Sequence, residues 1–186
     1  FYLSSFGENS LSLHDSLAAY LDNHPKTNLA FQPGTYQMKF GKERLSGIYK
    51  RTKVFISNKE EAQKILETKE SNISNLLNNM RKLGPEIVII TDGPSGAYML
   101  NEGVAWFIPP YPDEKPPYER TGAGDAFSST FVSALALGKT PEEALPWGSV
   151  NSMSVVQYVG AQEGLLSREK IEDYLAKSPD YQPKKI

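Results

Sequence analysis

The run Ile87-Val88-Ile89-Ile90 constrains the fold more than any other stretch of the chain. Four consecutive β-branched residues leave no polar side, so a strand built from them is buried on both faces. Gly84-Pro85 ahead of it and Gly93-Pro94 beyond it mark its ends. A strand covered on both faces needs helices above and below, and the flanking sequence supplies them. Leu13, Leu17, Tyr20 and Leu21 recur at helical spacing, with Pro25 past their end. Residues 40–51 carry a helical pattern, a helix starts near Asn58, and Leu76, Leu77, Met80 and Leu83 mark another. Short apolar runs lie between: residues 1–4, Leu29-Ala30-Phe31 and Val54-Phe55-Ile56.

The second half continues the pattern. Residues 97–100 and 104–108 flank Asn101-Glu102-Gly103 and predict a β-hairpin. A proline-rich loop follows, holding Pro109, Pro110, Pro112, Pro116 and Pro117. Helices are expected over 124–137, from the capping box at Thr140-Pro141-Glu142-Glu143, and over 168–176. Residues 178–186 read as a loose tail, and His14 and His24 as solvated side chains. Strand–helix alternation of this kind predicts an α/β layered domain with a largely parallel sheet. The chain opens Phe1-Tyr2-Leu3 without an initiator Met, as if a strand were already under way, so an N-terminal part is expected to be missing.

Composition narrows the function. Lys and Arg number 20 against 22 Asp and Glu, so the basic excess of a nucleic-acid binder is absent. No apolar run approaches the roughly 18 residues that would span a bilayer. No secretory signal opens the chain, and the absence of Cys rules out disulfides and thiolate metal sites. A cytoplasmic chain without membrane or nucleic-acid partners is the expectation.

Chemistry concentrates at Thr121-Gly122-Ala123-Gly124-Asp125, directly ahead of a helix. Small residues admit a ligand close to the backbone, and the first-turn N–H groups with the helix dipole favour a phosphate. Asp125 sets a carboxylate at the edge, placed to accept a hydroxyl proton. The bland alternative is a Gly-rich turn with Asp125 as N-cap. Asn58 and Glu61 share one helix face just past the strand 54–56, and an amide with a carboxylate suits hydrated Mg²⁺. Against that stands a capping box of Ser57 and Glu60 with Glu61 merely solvated. Thr91-Asp92-Gly93-Pro94-Ser95-Gly96 follows the central strand, where α/β sheets bind ligands, or is a plain strand-to-hairpin turn.

The order of these pieces resembles the ribokinase/PfkB family of carbohydrate kinases. Glu119-Arg120-Thr121-Gly122-Ala123-Gly124-Asp125-Ala126-Phe127 is similar to its C-terminal signature. Asn58-Lys59-Glu60-Glu61-Ala62 is similar to its Asn-x-x-Glu motif, and Thr91–Gly96 to its nucleotide-pocket loop. Asn151, ahead of Val159-Gly160-Ala161, stands where the family has an Asn near the adenine. The resemblance runs from residue 1 to about 176. It implies a ribokinase-like layered fold, a largely parallel sheet flanked by helices, incomplete at the N-terminus. Residues 1–176 would form the C-terminal catalytic and nucleotide-binding part, and 177–186 a tail.

The implied activity is transfer of a phosphoryl group from ATP to a hydroxyl of a sugar or nucleoside. Asp125 would act as base and Gly122, Ala123, Gly124 and Asp125 as the anion hole. Thr91, Gly93, Gly96, Thr121 and Asn151 would line the nucleotide site, and Asn58 and Glu61 would hold Mg²⁺ through water. In members activated by a monovalent cation the carboxylate at the place of Glu119 helps bind K⁺, which leaves a K⁺ site open here. Homodimer formation is also left open. Three departures stand out: Glu119 replaces the usual Asp, Thr130 replaces Gly or Ala, and Phe31-Gln32-Pro33-Gly34 replaces an Asp-x-Asn pattern. The family's N-terminal third, with its Gly-Gly sugar signature and lid strands, has no counterpart. A truncated nucleotide-binding module without catalysis of its own is the competing reading.

Overall fold

The computed structural model describes residues 1–112 and 115–186; residues 113–114, inside the predicted proline-rich loop, lie outside the described residues. The chain divides into two compact units. Phe1–Ile90 with Met99–Ala105 form the first, and Thr91–Tyr98 with Trp106–Ile186 the second.

The first unit alternates strands and helices: β1 (Tyr2–Leu3), α1 (Leu11–Asn23), β2 (Leu29–Phe31), α2 (Thr35–Phe40), α3 (Ser46–Arg51), β3 (Thr52–Asn58), α4 (Lys59–Leu66), α5 (Ile73–Arg81) and β4 (Ile87–Thr91). β1 pairs with β2 in parallel, Tyr2 opposite Ala30 and Leu3 opposite Phe31. β2 pairs with β3 in parallel, with a register shift between Leu29 and Ala30. Parallel neighbours need a crossover, and α1 and the α2–α3 pair supply it. The core of this unit is aromatic: Phe31 meets Tyr49 and Phe55 at ring separations of 5.5 and 6.1 Å, and Tyr49 meets Phe55 at 5.9 Å. Ile87 through Ile90 are buried, as a strand without a polar face must be.

Two expectations fail here. Residues 40–51 are not one helix. Gly41, at φ +85°, ends α2, and α3 starts only at Ser46. The helix α2 itself went unpredicted; Gln37 holds its start by accepting from Gly34 N–H at 3.0 Å and donating to Ser4 O at 2.7 Å. His14 is not solvated but buried, its Nδ1 2.7 Å from Ser10 O and its ring edge-on to Phe6 and Phe40. α1 turns His14 and Leu21 inward and leaves Leu13 and Tyr20 exposed, a rotation that spacing alone did not reveal.

β5 (Ala97–Asn101) and β6 (Val104–Ile108) follow. They are joined by Glu102-Gly103 at φ 50° and 79°, as a type I′ hairpin turn requires. The second unit then holds α6 (Ala123–Ala136), α7 (Pro141–Val155), α8 (Arg168–Lys177) and β7 (Lys184–Lys185). The capping box predicted for α7 is present: Thr140 Oγ1 accepts from Glu143 N–H at 3.2 Å, and Thr140 N–H donates to Glu143 Oε2 at 2.8 Å. α7 is buried along nearly its whole length. It approaches α6 so closely that a Cβ on Gly148 would lie 2.9 Å from Phe127 O.

The stretch expected to be a loose tail is tied down. Lys184 and Lys185 pair antiparallel with Phe107 and Trp106 on β6. The Tyr181 hydroxyl lies 2.5 Å from both Pro109 O and Ser149 Oγ, and Ser149 Oγ also accepts from Tyr111 N–H at 3.1 Å. Tyr111 packs edge-on against Tyr174 and Tyr181. Among the described residues no helix is long and apolar enough to cross a membrane.

Candidate phosphate-binding site

The start of α6 is built by Gly122. This residue sits in the left-handed region at φ +81° and serves as the N-cap. Ala126 N–H closes the first turn on Gly122 O at 2.8 Å, and Ala123 N–H bonds Arg120 O at 3.3 Å. A Cβ added at Gly124 would meet nothing within 4 Å, so the mouth of the helix is open at that residue. The first-turn N–H groups have no acceptor inside the helix, and the dipole makes this end positive. Asp125 is exposed in the first turn rather than at the N-cap position, which removes the capping alternative for it. This arrangement suits a phosphate against the backbone with one carboxylate beside it.

The turn rests on the segment after α7. Tyr118 and Glu119 both donate their N–H groups to Val156 O, at 2.8 and 3.1 Å. The Glu119 carboxylate accepts from Gly160 N–H at 3.0 Å. The neighbouring Thr121 hydroxyl first, and the Gly160 N–H second, hold its pKa below the usual carboxylate range. Gly160 and Ala161 thereby come together with Glu119, Thr121 and Gly122.

Asn151 is buried, and both ends of its amide are engaged. Nδ2 donates to Thr130 Oγ1 at 2.6 Å, and Oδ1 accepts from Leu166 N–H at 2.9 Å. The side chain thus joins α6, α7 and the segment leading to α8. Sequence reasoning marked Asn151 and Thr130 separately and missed that they are partners. The available signal was a hydroxyl at Thr130 among the apolar Ala126, Phe127, Phe131 and Ala134, which are buried with it on α6 beside Ser128.

Thr91 closes β4, and Gly93–Ser95 form one turn of 3-10 helix. Asp92 N–H reaches Gly96 O at 2.8 Å, and Ser95 N–H reaches Asp92 O at 2.9 Å. Gly96 has φ +99° and lies where a Cβ would stand 2.3 Å from Ile108 O. Gly93 faces open space.

In the first unit, Asn58 is the N-cap of α4 and Glu61 its third residue. Asn58 Oδ1 accepts from Glu61 N–H at 2.8 Å, and Asn58 N–H donates to Glu61 Oε2 at 2.9 Å. The capping box is therefore Asn58–Glu61, one residue later than the Ser57–Glu60 alternative, and Ser57 is buried within β3. Sequence spacing permits both; the length of β3 decides, because it runs through Asn58. A carboxylate offers about four lone-pair directions, so capping does not exhaust Glu61. Among the described residues no three His, Asp or Glu side chains gather as a metal cluster. The pair fits a hydrated Mg²⁺ held through water, not a fully protein-ligated ion.

A family model described as pfkB family carbohydrate kinase matches residues 14–168. The ribokinase of Bacillus subtilis (strain 168) is 38% identical over 95 residues, 50% of this chain and 31% of that protein. A nucleoside kinase of Methanocaldococcus jannaschii is 26% identical over 171 residues, 92% of this chain and 53% of that protein. A crystal structure of a putative ribokinase II from E. coli, in complex with ATP and Mg²⁺, superposes with a TM-score of 0.79 at 18% identity. It covers 95% of this chain and 58% of that one, a likeness that shows the fold. The chain thus spans between 31% and 58% of the length of these relatives.

Proposed function

Because the chain belongs to the pfkB family of carbohydrate kinases, we propose that it carries the nucleotide-binding and phosphoryl-transferring side of an ATP-dependent sugar or nucleoside kinase. The observation that carries this reading is the open first turn of α6, with Gly122 in the left-handed region behind it and Asp125 exposed at its rim. Backbone N–H groups of the Gly122–Asp125 turn would receive the transferred phosphoryl group and offset its charge. Asp125 would orient the acceptor hydroxyl and take its proton. A loose phosphoryl-transfer transition state demands little of the nucleophile, so positioning the hydroxyl is the larger part of that role. Thr91, Gly93, Gly96 and Thr121 would lie along the nucleotide. Asn151 would act beneath that site, since both ends of its amide are engaged by Thr130 and Leu166.

Bound Mg²⁺ would neutralise phosphate charge, and Asn58 and Glu61 would hold its water shell. K⁺ at Glu119 does not fit as well. The carboxylate is already engaged by Gly160 N–H at 3.0 Å, a group with no lone pair to offer a cation.

The test is Asp125→Asn, assayed over a panel of sugars and nucleosides. kcat should fall by about 10² or more while nucleotide affinity holds, as for a group acting in the transition state. Activity within a few-fold of the unaltered protein removes Asp125 from the mechanism. The competing reading is a nucleotide-binding module without catalysis of its own. Nucleotide binding with no turnover on any acceptor would favour it.

A further inference from the structure

Between α7 and α8 the chain runs through Gln157–Leu166 without regular structure, and three contacts pin it to the second unit's helices. At one end Asn151 Oδ1 holds Leu166 N–H at 2.9 Å. In the middle Ala161 lies against Gly122, where a Cβ on the glycine would stand 2.5 Å from the alanine methyl. Beside it the half-buried Glu119 accepts from Gly160 N–H at 3.0 Å. Glu119 stands two residues ahead of the turn opening α6, so this one bond ties the segment to that turn. Its own backbone is fixed by the bond to Val156 O at 3.1 Å, so the carboxylate has a rigid base from which to pull.

We propose that Glu119 is a positioning residue: its carboxylate, by a direct hydrogen bond and without a monovalent cation, locks the 157–166 segment onto the Thr121–Asp125 turn so that the turn's N–H groups stay aimed at the nucleotide phosphates. The proposal rests on the kinase reading above. The tie acts through geometry. The bond from Gly160 N–H lies next to the contact between Gly122 and Ala161, so the carboxylate and that contact together hold the segment against the turn. Losing the acceptor leaves Gly160 N–H to water, and the segment then moves independently of the turn. Hydrogen bonds to an ionised acceptor are the strong ones, so a carboxylate serves better here than an amide. An amide still keeps one acceptor oxygen of the same reach. A bare methyl keeps none.

The experiment compares the unaltered chain with Glu119→Gln and Glu119→Ala by two measurements. One is calorimetric binding of Mg·ADP and Mg·ATP, in KCl and in choline chloride at equal ionic strength. The other is hydrogen exchange of the peptide covering 157–166. Glu119→Ala should speed exchange in that peptide and weaken nucleotide binding by about tenfold, the loss of one charge-assisted contact. Glu119→Gln should recover most of both, and KCl should give the same affinity as choline chloride. Unchanged exchange and unchanged affinity in Glu119→Ala overturn the proposal while leaving the kinase reading standing. Affinity that rises with KCl in the unaltered chain, with Glu119→Gln as impaired as Glu119→Ala, overturns it in favour of an ion at the carboxylate. No nucleotide binding by the unaltered chain overturns the kinase reading and this proposal together.

Discussion

A methyl group placed on Gly122 would stand 2.5 Å from the Cβ of Ala161 and 2.7 Å from its Cα. Real carbon atoms do not approach so closely, and Gly122 also holds φ +81°, which L side chains rarely adopt. The glycine is thus required twice, once for the backbone turn that opens α6 and once for the contact behind it. Gly122→Ala should lower the melting temperature by several degrees and abolish measurable nucleotide binding. Adding Ala161→Gly removes the collision with the Cβ but leaves the 2.7 Å approach to the Cα and the backbone strain of about 1–2 kcal/mol. The double variant should therefore regain part of the stability and not all of it. Melting curves on the single and double variants check this; full recovery would show that backbone strain plays no part.

Glu61 has two separable duties in this reading. A Gln at the third helical position completes a capping box as Glu does. Glu61→Gln should leave thermal stability within a degree or two, yet raise the Mg²⁺ concentration for half-maximal nucleotide binding. Asn58→Ala removes the cap itself and should cost about 1 kcal/mol of stability. Denaturant titration beside a Mg²⁺ titration separates the two duties. An unchanged Mg²⁺ dependence in Glu61→Gln would leave Glu61 as a capping residue alone.

Asn151 and Thr130 form a buried pair whose members cost more singly than together. Asn151→Ala strands Leu166 N–H and the Thr130 hydroxyl, and an unsatisfied buried group costs about 1–3 kcal/mol. Thr130→Val leaves Asn151 Nδ2 without its 2.6 Å partner. A double-mutant cycle read by denaturant unfolding should return a coupling of about 0.5 kcal/mol or more. Strict additivity would mean that the hydrogen bond contributes nothing.

Tyr181 sets an alkaline limit. Burial, partly opposed by the Ser149 hydrogen bond, raises its phenol pKa well above the ordinary value near 10. A raised folded pKa contributes stability that is whole below the unfolded value and is lost as pH climbs through the folded one. Unfolding midpoints should therefore drop above about pH 10, and Tyr181→Phe should shed part of that slope. Tyr49 is raised by burial too, so the slope will not vanish. Identical alkaline profiles for the two proteins would contradict the hydrogen-bonded, partly buried placement of the Tyr181 phenol.

Much of this was written in local sequence. Ile87–Ile90 announced a strand buried on both faces, Leu29–Phe31 emerged with the expected bounds, and Thr140-Pro141-Glu142-Glu143 announced the start of α7. Small residues ahead of an apolar helix announced the glycine turn that opens α6, because only a few residue types fit a left-handed backbone. These features depend on a few consecutive side chains and their own backbone, so the sequence by itself determined them. Tertiary structure decided the rest. Which face of α1 turns inward, and so buries His14, depends on Phe6 and Phe40, neither of which lies in that helix. That Asn151 meets Thr130, that Glu119 meets Gly160, and that Tyr181 meets Ser149 are pairings across 21, 41 and 32 residues. No periodicity encodes such distances. They arise because hydrogen-bonding groups removed from water must find partners, and only the packed chain determines which partners are near.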